Sequence, residues 1–164
     1  MAAAVLECVE QGPDSWRKLD IRIIPGLSAM QAAASRVGAP LGHDFCVISL
    51  SDRLKPWEII VKRLEAAASA DFALAIYNPI SSERLWQLER AKEILVAHRS
   101  PQTPVVLARS VGRADEKIQL TDLEHFDPSL ADMQTIVLIG SSTTRSLTLA
   151  NNRTLIYTPR SYGA

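Results

Sequence analysis

Five stretches of this sequence set small polar or charged residues directly after apolar, β-branched runs, and these are the places where it can do chemistry. In Pro25-Gly26-Leu27-Ser28-Ala29, Gly26 permits a tight turn and the Ser28 hydroxyl can cap a following helix. The main-chain N–H groups at such a helix start can hold a carboxylate or other polar ligand group, although an ordinary capped turn uses the same residues. In Tyr77-Asn78-Pro79, followed by Arg84, the Asn78 amide is both donor and acceptor, and Arg84 has the fork to grip a carboxylate. A helix-entry turn with a solvated arginine is the alternative there. Between Ser49 and Trp57, Asp52 either transfers a proton or satisfies the free N–H groups of the next helix, and Asp52-Arg53 also reads as an exposed pair. Arg109-Ser110-Val111-Gly112-Arg113 is a turn that can present main-chain groups, and Gly140-Ser141-Ser142-Thr143-Thr144 is a hydroxyl-rich strand exit.

Other chemistries lack their residues. There is no Gly-x-Gly-x-x-Gly, Walker loop, His-Glu-x-x-His or Gly-x-Ser-x-Gly string, and the seven glycines are scattered singly. His98 and His125 stand alone, at a helix end and in a loop. Cys8 and Cys46 are far apart with no partner cluster, so no metal site is expected and a reducing compartment, the cytoplasm, is. Eighteen basic and eighteen acidic residues cancel, leaving no overall basic field for nucleic acid. The longest apolar runs are too short to span a bilayer, and Glu7 and Glu10 break up the N-terminal stretch, which has no basic leader.

The elements that must position these residues alternate. A helix through about residue 10 ends at Gly12-Pro13, residues 20–24 form a short strand, and residues 28–37 form an Ala-rich helix closed by Gly38. After a break at 39–43, a strand over 44–50 leads to a helix with Pro56 at its first position. Trp57, Ile60, Val61, Leu64 and Ala68 make one face of that helix. Residues 71–77 are continuously apolar, as in a central strand covered on both faces. Ser82 is placed to cap a helix over 83–99, and strands follow at 104–108, 117–120, 135–140 and 153–157. The fold class is therefore α/β with a mixed sheet. The first forty residues hold too little to cover a sheet alone.

Taken in order, Pro-Gly-Leu-Ser-Ala (25–29), Gly-Ala-Pro-Leu-Gly-His-Asp-Phe (38–45), Ile-Ser-Leu-Ser-Asp (48–52) and Pro-Trp-Glu (56–58) carry a resemblance that none carries alone. Tyr-Asn-Pro (77–79), Asp-Met-Gln-Thr (132–135) and Thr-Pro-Arg-Ser-Tyr (158–162) extend it over essentially the whole chain. The sequence resembles the tetrapyrrole (corrin/porphyrin) methylases, in particular the branch acting at C-17 of precorrin-3B. The resemblance implies an S-adenosylmethionine-dependent methyltransferase of cobalamin biosynthesis, typically a homodimer, that methylates C-17 and supports ring contraction. It implies two α/β domains with the cofactor in the cleft between them. It carries cofactor contacts onto Ser28, Ala29, Asn78 and Val111, with Gly112 adjacent, while no catalytic residue is assigned. A polycarboxylate macrocycle makes Arg53, Arg84 and Arg113, with Asp52, the substrate-binding candidates.

The family's glycine-rich loop and Gly-Asp-Pro segment have no counterpart in this sequence, and Lys55 stands where the family more often has Thr. The expected organisation is thus a remnant of an N-terminal α/β cofactor domain over residues 1–41 and a complete C-terminal α/β domain over 42–164. Two alternatives stand beside the C-17 reading: a sister methylase acting on another precorrin or cobalt-precorrin, and a noncatalytic fragment that dimerises.

Overall fold

The structure, a computed structural model, describes residues 2–162. Helices α1 (Ala2–Gln11), α2 (Ala29–Val37), α3 (Trp57–Ser69) and α4 (Gln87–Val96) are interspersed with strands. The strands are β1 (Gly38–Ala39), β2 (Phe45–Ser49), β3 (Ala73–Tyr77), β4 (Pro104–Arg109), β5 (Lys117–Asp122), β6 (Thr135–Ile139), β7 (Arg145–Thr148) and β8 (Thr154–Tyr157). They form a five-stranded mixed sheet in the order β2-β3-β6-β4-β5 and a three-stranded sheet in the order β1-β8-β7. In the larger sheet β2 and β3 are parallel and the remaining pairs are antiparallel.

The period-2 side-chain alternation of the central strands explains why both faces of that sheet are covered. Leu74 and Ile76 of β3, Val105 and Leu107 of β4, and Val137 and Ile139 of β6 face one layer. That layer is the apolar side of α3 and α4, including Ile60, Leu64, Leu88 and Leu95. The alternate residues, Ala75, Val106, Ala108, Ile136 and Leu138, pack instead with Ala33 and Val37 of α2 and Ile156 of β8. The doubly covered strand expected at 71–77 is therefore present as β3.

Helix α2 starts on a capping box: the Ser28 side chain accepts from the Gln31 N–H, and the Gln31 side chain accepts from the Ser28 N–H. It stops at Gly38, whose φ of 129° lies where side-chain-bearing residues are strained. The break expected at 39–43 falls between β1 and β2. On its N-terminal side, Gly38 and Ala39 pair in parallel with Ile156 and Tyr157, and α2 packs on the larger sheet.

Four local expectations differ from what is found. Residues 20–24 are not a strand but exposed chain, because no described strand lies beside them to complete a ladder. Pro56 is the residue before α3 rather than its first residue, and no side chain caps that helix, so Asp52 does not serve there. Helix α4 begins at Gln87, not at residue 83, because Ser81 and Arg84 exchange main-chain hydrogen bonds and close a turn first. Strand β7 was not expected; its apolar content is slight, and it exists by pairing with β8. No helix among the described residues is long and apolar enough to cross a membrane.

Candidate functional site

Sheet topology decides where the polar strand exits meet. Strands β3 and β4 flank β6, which runs opposite to both. Register pairs Ile76 with Val137 and Arg109 with Thr135, so the carboxyl ends of β3 and β4 lie beside the start of β6. Strand β2 ends at the same edge, with Ser49 opposite Tyr77. Loops at this edge face a cleft of about 290 Å³. That is near the lower end of the roughly 300–1,000 Å³ usual for small-molecule sites.

One wall of the cleft is Ala29 of α2 with Tyr77 and Asn78; the other is Ala108, Ser110 and Val111. Met133, Gln134, Thr135 and Ile136 form the stretch between them, and Arg113 stands at the rim. The Tyr77 hydroxyl accepts from the Met30 N–H at 3.1 Å, which ties the first turn of α2 to the end of β3. Asn78 and Ser110, the residues immediately after Tyr77 and Arg109, have φ of 50° and 51°. Both strands thus leave the sheet through left-handed turns built on residues with a side chain, an arrangement that concentrates at binding sites.

Hydrogen bonds hold these turns. The Asn78 side-chain amide donates to Ser49 Oγ at 2.8 Å, and its main-chain carbonyl accepts from Arg84 Nη1 at 3.0 Å. The Ser110 N–H donates to the Gln134 carbonyl, and its hydroxyl lies 2.6 Å from Gln134 Oε1 and 3.0 Å from Asp115 Oδ2. Arg109 donates at 2.7 Å to both Asp132 and Asp115. Across the mouth, Arg36 of α2 pairs with Glu116 at 2.8 Å, and Glu116 accepts from the Gly112 N–H at 2.6 Å.

These pairings set the charges. Arg109 and Ser110 hold the Asp115 carboxyl below its ordinary range, and Arg36 with the Gly112 N–H does the same for Glu116. Burial pushes Asp132 upward, but Arg109 and Thr135 outweigh it and the net shift is downward. Burial, reinforced by Arg63 and Arg84 and opposed by Asp52, lowers Lys55. No cluster of three or more His, Cys, Asp or Glu suited to a metal ion occurs among the described residues.

The structure brings Ala29, Asn78, Val111 and Arg113 into one cleft. Ser28 caps the helix that carries Ala29, and Gly112 follows Val111 with φ of 81°. Arg53 is exposed and paired with Glu83. Arg84 is only 6% exposed and points inward, with Asp52 at 3.9 Å from its Nε. The hydroxyl loop after β6 lies at the opposite edge, where Ser141, Thr144 and Thr158 bond to one another and to the Pro40 carbonyl between the two sheets. Sequence reasoning gave no role to Met133, Gln134 or Thr135, and took Ser110 only as part of a turn that presents main-chain groups. The Asp-Met-Gln-Thr string marked the place, but only the antiparallel course of β6 carries it into the cleft.

The scaffold is an α/β fold with a cleft where the carboxyl ends of β3 and β4 meet the start of β6, the place where open α/β sheets carry their ligand sites. The chain belongs to the tetrapyrrole (corrin/porphyrin) methylases, whose family profile matches residues 3–127. It is 51% identical over 162 residues to a precorrin-3B C(17)-methyltransferase of Sinorhizobium sp, covering 99% of this chain and 64% of that protein. It is 47% identical over 164 residues to a probable cobalt-factor III C(17)-methyltransferase of Salmonella typhimurium, again covering 99% of this chain and 64% of the relative. The crystal structure of the methyltransferase CobJ superposes with a TM-score of 0.88 at 45% identity, over 97% of this chain and 64% of that one. The chain thus spans 64% of the length of these relatives.

Proposed function

We propose that this chain supplies part of the S-adenosylmethionine site and of the substrate surface for methyl transfer to C-17 of precorrin-3B, with ring contraction, in cobalamin biosynthesis. The observation that carries this reading is the convergence of Ala29, Asn78 and Val111, from three separate segments, on one cleft. The residues present fit the cofactor. Ala29, Ala108, Val111 and Ile136 are apolar surface against which a flat heterocycle can lie, and the small side chains of Ala29 and Ala108 bring the main chain within reach. Bound there, the sulfonium supplies an already activated methyl group. The protein's part is then to orient and to exclude water, which needs no catalytic triad.

In this reading Ser28 holds the first turn of α2 so that the Ala29 N–H meets the ligand. Asn78, Val111 and Gly112 meet the adenosine side. Arg53 and Arg113, both exposed, grip carboxylates of the macrocycle. The protein acts in the cytoplasm as a homodimer, and exposed Ile23, Ile24 and Leu27 are apolar surface that such an assembly would cover. A sedimentation series over a wide concentration range tests that assembly, and a monomer throughout would overturn it.

Titration calorimetry with S-adenosylhomocysteine tests the cofactor assignment. Micromolar binding is expected; no heat at high ligand concentration would leave the noncatalytic reading in its place. A cobalt-containing macrocycle is a second reading of the substrate, favoured by the nearly equal identity to the cobalt-factor III relative. Competition between the cobalt and metal-free macrocycles for the chain separates the two.

A further inference from the structure

We infer that Arg84 is a positioning residue whose buried guanidinium fixes one wall of the cleft at the main chain of Asn78, together with the side chain of Met133 in the stretch between the walls, and so sets its affinity for the methyl donor. This rests on the reading of the cleft as the methyl donor's site. Arg84 lies between β3 and α4, in the turn closed by its main-chain hydrogen bonds with Ser81. That turn directs the side chain into the protein, where it is 8% exposed. Nη1 donates to the Asn78 carbonyl at 3.0 Å, and Nη2 lies 3.5 Å from Met133 Sδ. Asn78 and Met133 both line the cleft.

The rest of the guanidinium is steered from behind. Asp52 Oδ1 stands 3.9 Å from Nε, and Asp52 Oδ2 accepts from Gln87 Nε2 at 3.2 Å. Gln87 is itself 2% exposed. Burying a guanidinium is costly, and Nε has no hydrogen bond at all. What the cation does, and a methionine or leucine could not, is hold a carbonyl whose residue sits at φ of 50°. Asn78 is then pinned from both sides, its side chain by Ser49 and its carbonyl by Arg84. The inward fork also separates Arg84 from Arg53 and Arg113, which stay at the surface.

The test compares the whole chain with R84M, R84K and D52N, well below their melting temperatures, by calorimetry with S-adenosylhomocysteine. Hydrogen exchange of residues 77–82 and 133–135 is followed without ligand. Loss of a charged donor should weaken binding about tenfold in R84M. R84K should recover part of this, and exchange in R84M should accelerate in both segments and not in α3. A lowered melting temperature with unchanged affinity and unchanged local exchange would make Arg84 merely structural and overturn the inference. If the parent chain binds no S-adenosylhomocysteine, the functional reading falls, and exchange alone decides whether Arg84 positions Asn78 and Met133. If R84M does not fold, D52N, which keeps the guanidinium but removes its carboxylate, should still show a smaller loss of affinity; unchanged affinity and exchange in D52N would then overturn the inference.

Discussion

At the scale of single residues, the cleft depends on two side-chain-bearing residues in a backbone conformation that usually goes to glycine. Asparagine tolerates the left-handed region better than most, which suits it to the exit of β3. Asn78→Val should cost about 1–2 kcal/mol in conformation, plus about 1 kcal/mol for the lost bond to Ser49. Asn78→Gly keeps the turn and loses only the amide, so its urea midpoint should lie between those of the parent and Asn78→Val. A valine variant as stable as the parent would mean that the turn carries no strain. Asn78 could be read from the sequence because a polar residue after a continuous apolar run, just before proline, marks a strand exit. The inward course of Arg84 could not, since a turn two residues long decides it, and the same residue would be solvated if α4 began at Ser82.

Among the elements, the loop from Arg109 to Glu116 carries the densest set of charges around the cleft. Asp115, Glu116 and Asp132 all titrate lower in the folded chain than carboxylates ordinarily do. The folded chain therefore binds fewer protons in the acid range than the unfolded chain does. Their stabilisation is complete above the ordinary carboxylate range and is lost as pH falls through the lowered values. Urea midpoints should hold from neutrality down to pH about 5 and fall from there towards pH about 3, and Arg109→Gln should flatten that fall, since it removes the partner of two of the three. An unchanged slope in Arg109→Gln would show that the acid loss arises elsewhere. The second wall rests on the capping box of α2, where Ser28→Ala should cost about 1 kcal/mol. That helix, like α3 and β3, was legible because caps, stripes and apolar runs are local signals. Strand β7 and the start of α4 were not, because β7 has little apolar content and is fixed only by pairing with β8, while a competing turn delays α4.

For the molecule as a whole, the question is what binds α2, and with it one wall of the cleft, to the sheet that carries the other. Beside the Tyr77–Met30 bond and the Arg36–Glu116 pair, two links cross from residues 28–40 to the rest. One is the packing of Ala33 and Val37 against the second face of the sheet. The other is the pairing of β1 with β8, reinforced where the Thr158 hydroxyl donates to the Pro40 carbonyl at 2.6 Å. Gly38 is the hinge of both. Its φ of 129° suits glycine alone, and a Cβ there would stand 2.5 Å from the Ile156 carbonyl oxygen, closer than real atoms approach. Gly38→Ala must therefore either strain the end of α2 or pull β1 from β8. Conformational strain of this kind costs about 1–3 kcal/mol. The expected outcome is a lower urea midpoint, still in one transition if the two sheets unfold together. Affinity for S-adenosylhomocysteine should fall with it, because Ala29 sits at the other end of the helix that Gly38 terminates. A variant that lost stability but kept full affinity at low temperature would show that Tyr77, through its bond to Met30, seats α2 against the cleft without help from β1.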